Sequence, residues 1–193
     1  MYCPYKGINL NTKLSQIAEI KTGIFAKPEL EGKVVYLQAK HFNEFGDLGT
    51  SLWPDLTADG LTDKHLLKPG DVLFAAKGTK NFAAVYKGDF PAVASTTFFV
   101  IRIRESKVLP DYLVWILNNS VMQNFLKRQA IGSSIVSISK TVLKELEITV
   151  PSIEKQKQVL KISRLGKEEH DLRLKIAELR QLRIQQEITN AIK

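Results

Sequence analysis

The histidines and the single cysteine are the side chains best suited to acid–base, nucleophilic or metal chemistry, and their spacing supports none of these. His41, His65 and His170 are scattered, and none has a second histidine or a carboxylate at the helical spacing of a metal site. Cys3 is the only cysteine, so the chain can build neither an internal disulfide nor a cysteine-based metal site. A hydrolytic enzyme would need distant residues to converge around His41 or His65, and this alternative stays open.

The turn-like segment AKGTKNF contains cations beside a glycine, but it is not a nucleotide-binding loop. A phosphate cradle of the P-loop kind is glycine-rich and ends in Lys-Ser or Lys-Thr, which this segment lacks. No Rossmann glycine fingerprint follows a predicted strand, and no Gly-x-Ser-x-Gly elbow is present. The sequence therefore predicts a protein that is not an enzyme and that holds no metal or cofactor of its own.

The charge of the chain favours a polyanionic partner. The formal net charge is +8 and the pI is about 9.5. The charge is uneven, because Glu44–Asp63 holds five acids and no Lys or Arg, whereas Lys64–Lys107 holds eight bases and three acids. No apolar run approaches the roughly 20 residues of a membrane span, and the first residues do not resemble a signal peptide. We therefore expect a soluble, cytoplasmic protein without a membrane partner.

The chain changes character near Pro151, which predicts two domains, residues 1–150 and residues 151–193. Nine of the eleven glycines lie between Gly23 and Gly132, and after Pro151 only Gly166 remains. Short β-branched and aromatic runs predict strands at 34–38, 71–76, 81–86, 96–104 and 147–151. Helices are predicted at 14–20, at 110–128 and after Ser139, which is a good N-cap. This mixture predicts an α+β fold, in which helices flank a mostly antiparallel, curved sheet.

Two of these elements carry a prediction about side-chain direction. In the strand at 96–104, Phe99, Ile101 and Ile103 are expected to face the core, and Arg102 and Arg104 to face solvent. In the helix at 110–128, an apolar side is expected to pack inward; its residues are Tyr112, Trp115, Ile116, Met122, Phe125 and Leu126.

From Ser152 to Lys193 the sequence predicts one long helix of about 40 residues, or roughly 60 Å at 1.5 Å per residue. Its apolar residues form an imperfect heptad stripe, interrupted by Gln186, and Gly166 permits a bend or break. A lone helix cannot cover such a stripe, which favours a coiled-coil pairing with a second copy in a homodimer. Packing on the chain's own first domain is the alternative. The residues assigned to pairing are Leu165, Leu172, Ile176, Leu179 and Leu182.

Several segments, taken in order, resemble the specificity subunit of type I restriction-modification enzymes. The segment NLNTKLSQIAEIKTG is similar to the start of a domain in that family. The segments LLKPGDVLFAAKGTKNFAAVY and ASTTFFVIRIR resemble its Pro-Gly-Asp, strand, basic turn, strand block and the strand that follows. Residues 109–159 carry the most specific part, a Tyr-Leu helix, a Gly-Ser loop, Ile-Ser, a short helix, a strand, Pro, and a Glu-x-x-Gln-like helix start.

The resemblance implies a DNA-recognition role. Members of the family usually have two target-recognition domains, each followed by a long helix; the helices pair antiparallel, and each domain reads half of an interrupted site. This sequence has one such domain and one helix, so the resemblance implies a half-length form that binds double-stranded DNA as a homodimer. Methyltransferase subunits would bind S-adenosylmethionine and flip the target base, and restriction subunits, where present, would use ATP. The alternative is an interaction or regulatory fragment that pairs with a full-length specificity subunit and has no DNA specificity of its own.

Candidate DNA contacts are cations for phosphates and polar side chains for base edges, where these lie in predicted loops. One loop joins two strands, one follows the helix at 110–128, and one begins a strand; the candidates in them are Lys77, Lys80, Asn81, Arg128, Gln129, Ser133, Ser134, Ser95 and Thr96. Lys21, Thr22 and Lys27 are weaker candidates beside the first turn. Trp53 could act as a wedge or stack on a base, but packing beneath a long loop is the more common role of such an aromatic residue and is the one expected. The base sequence that would be recognised does not follow from the amino-acid sequence.

Overall fold

The computed structural model describes residues 11–43, 46–49, 52–57, 62–78, 81–88, 90–130 and 137–192. The chain divides into two compact units, residues 1–153 and 154–193. The division lies three residues beyond the domain boundary that the sequence predicts at 150/151.

The first unit combines short strands and short helices. In chain order they are β1 (Asn11–Lys13), α1 (Leu14–Ile17), β2 (Ala18–Thr22), β3 (Val35–Leu37), a 3-10 turn (Ala39–His41), β4 (Val72–Ala75), β5 (Ala83–Val85), β6 (Ala92–Ala94), β7 (Phe98–Ile103), α2 (Pro110–Asn118), α3 (Ser120–Gln129), α4 (Lys140–Glu145) and β8 (Glu147–Thr149). The second unit is formed by one helix, α5 (Ile153–Ala191).

A four-stranded antiparallel sheet in the order β2–β7–β4–β5 is the centre of the first unit. Strand β7 pairs on one side with β2, where Ile20 lies opposite Ile101, and on the other with β4, where Phe74 lies opposite Phe99. Two further ladders are separate from it, an antiparallel β1–β8 pair and a parallel β3–β6 pair. The predicted α+β fold with a mostly antiparallel sheet is therefore confirmed.

Both faces of the central sheet are covered. On one face Leu73, Phe98 and Val100 pack with residues of β3 and β6 in one apolar cluster, which an aromatic group of Phe42, Phe82 and Phe98 extends. On the other face α2 packs against β4 and β5. Burial along the first part of β7 is consequently continuous instead of alternating, as expected for a strand between two layers.

The predicted outward position of Arg102 is wrong. Its guanidinium donates two hydrogen bonds, of 2.7 and 2.6 Å, to the carboxylate of Asp71, and a third, of 3.1 Å, to the carbonyl of Leu66. Asp71 is only 2% exposed, and an unpaired carboxylate at such a position would be costly, so the arginine on the neighbouring strand turns toward it. The hydrogen bond with Asp71 also raises the pKa of Arg102 above its already high ordinary value. The exposed Arg104 agrees with the prediction.

The predicted helix at 14–20 is too long. The α-helix ends at Ile17, and Ala18–Thr22 forms strand β2. Seven residues with apolar positions at helical spacing also fit an alternating strand, in which Ala18 and Ile20 are buried. Pairing with β7 decides between the two structures, because β2 would otherwise leave that edge of β7 without partners.

The predicted helix at 110–128 is two helices. Asn119 has an extended backbone, caps the end of α2, and accepts a hydrogen bond of 2.9 Å from the Val121 amide at the start of α3. The expected apolar side is accordingly divided. Tyr112, Ile116 and Leu126 are buried, Trp115 is half-buried and stacks on Tyr112, and Phe125 is exposed. The predicted N-cap of α4 is confirmed, since the Ser139 hydroxyl accepts from the Val142 amide at 3.2 Å.

Helix α5 runs without interruption from Ile153 to Ala191, so no break occurs at Gly166. The long helix that the sequence predicts is therefore confirmed. Its seam residues Leu165, Leu172, Ile176, Leu179 and Leu182 are between 49 and 64% exposed. None of the helices in the described ranges is long and apolar enough to cross a membrane.

The Asn118 side chain acts as a short extension of the sheet. Strand β5 is at the edge, and the amide of Ala83 in this strand donates to Asn118 Oδ1 at 2.7 Å, while Asn118 Nδ2 donates to the Ala83 carbonyl at 2.9 Å. Both backbone groups of a fully buried residue are thus satisfied by one side chain.

We predict that Asn118→Ala lowers the free energy of unfolding by about 1–3 kcal/mol, because it leaves buried backbone groups of Ala83 without partners. Urea denaturation measures this difference. Asn124→Ala, which truncates an exposed asparagine of α3, is the matched control and should change stability by less than about 0.5 kcal/mol. Equal effects of the two substitutions would contradict the assignment.

Candidate nucleic-acid interface

Antiparallel pairing brings four chain segments to the same end of the central sheet. Strands β2 and β4 run toward this end, and β7 and β5 run away from it. The residues after β2, the turn between β4 and β5, and the turn before β7 therefore meet there. Four segments, 22–27, 76–78, 95–97 and 137–138, form what we call the sheet-end surface.

Backbone hydrogen bonds join these segments to one another. The Ile24 amide donates to the Ala94 carbonyl at 2.8 Å, and the Ala76 amide donates to the Thr97 carbonyl at 2.9 Å. The Ile138 amide donates to the Ala76 carbonyl at 2.9 Å, beside a β-bridge between Lys77 and Ser137. Three of the loops from which the candidate DNA contacts were drawn are thereby brought together, although they lie about 20 to 40 residues apart in the sequence.

The turn between β4 and β5 presents Lys77 to solvent. Gly78 follows with φ of +130°, a conformation that favours glycine, and no described atom lies within 4 Å of the place where a Cβ would be. Asn81 has a structural contact in this turn, because its Nδ2 donates to the Ala75 carbonyl at 2.8 Å. Lys80 lies outside the described residues.

The turn before β7 differs from the expectation in one respect. Ser95 is 5% exposed, and its hydroxyl is hydrogen-bonded to the Thr97 hydroxyl, while its amide donates to the Leu37 carbonyl at 2.9 Å. Thr96 and Thr97 are half-buried and are the residues of this turn that reach the surface. Ser95 is thus suited to orient Thr97, which the sequence presents beside Ser95 and Thr96 as a polar residue at a strand start, more than to reach a ligand itself.

Arg128 and Gln129 are exposed in the last turn of α3, where a cation also stabilises the negative end of the helix dipole. Ser133 and Ser134 of the same predicted loop lie outside the described residues. The described end of that loop, Ser137 and Ile138, is the part that joins the sheet-end surface.

Basic side chains also line a hollow beside the segment that follows β2. Lys21, Lys64 and Arg102 contribute to its wall, next to Thr22, Gly23 and His65. Lys21 pairs at 3.5 Å with Glu19, and hydrogen bonding to Arg104 lowers the pKa of that glutamate, so it stays ionised. The weaker candidates Lys21 and Thr22 therefore lie beside the sheet-end surface, and the charge of Lys21 is partly balanced by Glu19.

Besides Phe125, the aromatic residues Trp53 and Phe25 are exposed in the described part of the chain. Trp53 is 77% exposed, so the prediction that it packs beneath a loop is wrong. Its neighbour Leu56 is buried with Val34 and Tyr36, which leaves the indole on the outer side of the segment. Phe25, which the sequence reasoning passed over, is 78% exposed on the sheet-end surface.

Two of the three histidines, His41 and His65, make local contacts. His41 Nδ1 accepts from the Gln38 amide at 3.2 Å, and burial, followed by the nearby Lys40 charge, lowers the pKa of His41. His65 Nδ1 lies 3.3 Å from the Thr62 hydroxyl. Within the described part of the chain, no three His, Cys, Asp or Glu side chains lie together as a metal site would require.

The family profile described as "Type I restriction modification DNA specificity domain" matches residues 10–175. The chain belongs to this family. Specificity subunits are non-catalytic components of restriction-modification systems, in agreement with the prediction that the chain is not an enzyme.

Two curated relatives from Methanocaldococcus jannaschii are similar to the chain. The putative type I restriction enzyme MjaX specificity subunit is 32% identical over 107 residues, which are 51% of this chain and 24% of that protein. The type I restriction enzyme MjaVIII specificity subunit is 24% identical over 150 residues, 74% of this chain and 31% of that protein. The chain thus spans about a quarter to a third of the length of these relatives.

A solved structure shares the fold. The HsdS subunit from Thermoanaerobacter tengcongensis superimposes with a TM-score of 0.61 at 16% sequence identity, over 86% of this chain and 40% of that chain. At this level of identity the match supports the α+β architecture alone.

Gly23 permits the close approach that assembles the sheet-end surface, and we predict that Gly23→Ala disrupts it. A Cβ at this position would lie 2.0 Å from the Ser95 carbonyl oxygen and 2.5 Å from that of Ala94. We expect a loss of about 1–3 kcal/mol in the free energy of unfolding, as for other overpacked sites. Faster hydrogen exchange at the Ile24 amide would show the segment moving away from β6.

Gly49→Ala is the control for this substitution, because its nearest neighbour, the His41 carbonyl oxygen, would be 3.4 Å from the new Cβ. A loss of stability in Gly49→Ala as large as that in Gly23→Ala would contradict the steric explanation.

Proposed function

We propose that the chain is a DNA target-recognition domain with a spacer helix, and that it binds one half of a bipartite, interrupted DNA site. Membership of the specificity-domain family carries this proposal. In that role the chain recruits methyltransferase subunits, and restriction subunits where the system has them, in the cytoplasm. The methylation and cleavage chemistry, with S-adenosylmethionine and ATP, belongs to those partners.

The sheet-end surface is the part of the domain best suited to contact DNA. It combines an exposed cation, Lys77, with the half-buried hydroxyls Thr96 and Thr97. Cations contact phosphates and set the position of a protein on the duplex, whereas hydroxyls and amides read base edges. Rigidity supports the same role, because the segments are held by hydrogen bonds to sheet strands and keep their spacing without DNA.

The pairing of two α5 helices is the second part of the proposal. The seam residues Leu165, Leu172, Ile176, Leu179 and Leu182 leave an apolar stripe exposed along the helix. A second copy related by a two-fold axis would cover the stripe and place two recognition domains on an inverted repeat. Pairing with a full-length specificity subunit is the alternative, and the same exposed stripe favours it.

The proposed function is tested by selection from random-sequence duplexes with the purified chain, in the presence of methyltransferase subunits. We expect enrichment of a bipartite sequence with a fixed spacer. Binding that enriches no sequence, or heterodimers with a full-length specificity subunit and no independent site, would contradict the proposal; the second result would favour the regulatory alternative.

For the phosphate contacts, we predict that Lys77→Ala and Arg128→Ala each weaken binding to the selected site and to random duplexes by a similar factor. Each should reduce the slope of log K against log salt by about one, because one fewer counterion is released. Fluorescence anisotropy at several salt concentrations measures both quantities. Lys68→Ala is the matched control, since Lys68 is an exposed lysine just before β4, at the opposite end of the sheet. An equal change in the control would show a general charge effect and contradict a local contact.

For the helix, we predict that Leu172→Asp combined with Leu179→Asp gives monomers that keep the folded recognition domain, because two charges in the seam oppose pairing. Light scattering measures the mass, and circular dichroism checks the fold. The control combines Ala177→Asp with Gln181→Asp, which adds the same charge on the side of α5 away from the seam residues. A double leucine variant that stays dimeric would exclude α5 as the interface.

A further inference from the structure

Phe25 is an exposed aromatic side chain on a backbone that is held in place. The Gly23 amide donates to the Phe98 carbonyl at 3.0 Å, and the Ile24 amide donates to the Ala94 carbonyl at 2.8 Å. On the other side, the Ala26 amide donates to the Tyr36 hydroxyl at 3.3 Å, and this hydroxyl donates to the Ile24 carbonyl at 2.9 Å. Both neighbours of Phe25 are thus anchored by hydrogen bonds, and its phenyl ring is 78% exposed.

The direction of the ring follows from its neighbours. Ile24 and Ala26 pack against the apolar cluster of Val34, Tyr36, Leu56 and Val93. In an extended segment alternate side chains point to opposite sides, so the residue between them points away from that cluster. Phe25 therefore projects outward as part of the sheet-end surface, next to the Ser95 turn with which Ile24 forms a bridge.

The surroundings of Phe25 favour DNA over an apolar protein surface as its partner. Lys27 is exposed two residues further on, and the hollow that contains Lys64, beside the ion-paired Lys21 and Arg102, begins at the same segment. Trp53, with a similar exposure, lies in the stretch Glu44–Asp63, which has five acids and no Lys or Arg. A polyanion is attracted to the first environment and repelled by the second.

We infer that Phe25 is a specificity-determining residue that contacts the C5-methyl group of a thymine in the major groove. This inference rests on the proposed function. A phenyl ring has no hydrogen-bond donor or acceptor, so at a base edge it distinguishes bases through apolar contact. The thymine methyl is the apolar feature that the base edges present in the major groove. Phe25 thus complements the polar groups Thr96 and Thr97 beside it and the phosphate contact of Lys77.

The test measures Phe25→Ala on the selected duplex and on random duplexes, with methyltransferase subunits present as in the selection. We expect a loss of roughly three- to tenfold on the selected site, the range for burial of one or two methyl-sized groups. Random duplexes should bind as before, and the salt slope should not change, because no counterion is released at an apolar contact. Phe25→Leu, which keeps an apolar side chain, should lose less.

Two exposed apolar residues outside the sheet-end surface provide matched controls. Leu30→Ala and Trp53→Ala remove similarly exposed side chains from the same unit, and neither should alter binding to the selected site. Thermal unfolding of all the variants should match that of the unaltered chain, because none of these side chains is in the core. Equal losses in Phe25→Ala and Trp53→Ala would overturn the inference.

Replacing each thymine of the selected site by uracil, one at a time, identifies the contact, since this change removes only the methyl group. At one position the loss caused by uracil should disappear in Phe25→Ala, so that the two changes are not additive. Additivity at every thymine would overturn the inference, as would a Phe25→Ala variant that binds DNA normally but no longer assembles with methyltransferase subunits. If the unaltered chain selects no site, both the proposed function and the inference fail. If it selects a site and Phe25→Ala binds that site normally, only the inference fails.

Discussion

The pairing of β7 with strands on both of its edges is the constraint on which the rest of the first unit depends. Because β2 and β4 both run antiparallel to β7, the segments that leave them must meet the segment that enters β7 at one end of the sheet. The β1–β8 ladder and the start of β2 belong to the other end, where the Arg104 amide donates to the Ile17 carbonyl. Because of the order β2–β7–β4–β5, the surface proposed for DNA lies at one end of the sheet, and the β1–β8 ladder lies at the other end.

The ion pair of Arg102 and Asp71 joins β7 to the residue that precedes β4 inside the unit. Asp71 accepts from Arg102 on β7 and, at 2.8 Å, from the Lys68 amide in the turn before β4, so one carboxylate ties a turn to the central strand. Ion pairs of this kind add little net stability when both partners are present, but a missing partner leaves a buried charge. Removing either partner of this pair would therefore cost more than the net contribution of the intact pair.

The elements that the sequence predicts correctly are those with a strong local pattern. The strands at β3, β4, β5 and β7, the Ser139 cap and the long helix all have one periodicity and clear boundaries. Wrong assignments occur where two periodicities fit or where a polar residue interrupts a helix, at Ala18–Thr22 and at Asn119, and the three-residue strands β1 and β6 were not predicted. Of the site, the sequence identified the loops that carry Lys77, Ser95 and Thr96. The sequence did not show that Ser95 is buried whereas Thr96 and Thr97 reach the surface. Neighbouring residues do not indicate whether a polar side chain at the start of a strand is buried.

Composition, charge and motif order by themselves determined the class of the protein: an α+β domain and a basic helix, with no pattern of catalytic residues, in the order that the specificity-domain family shows. These properties depend on single residues, on sums over residues or on short segments, so they can be read from the sequence without knowledge of the fold. Only the tertiary structure decided which loops share a surface, that Arg102 turns inward, and that Phe25 and Trp53 turn outward. Those outcomes depend on hydrogen bonds between residues far apart in the chain, whose pairing is set by the packing of the whole unit.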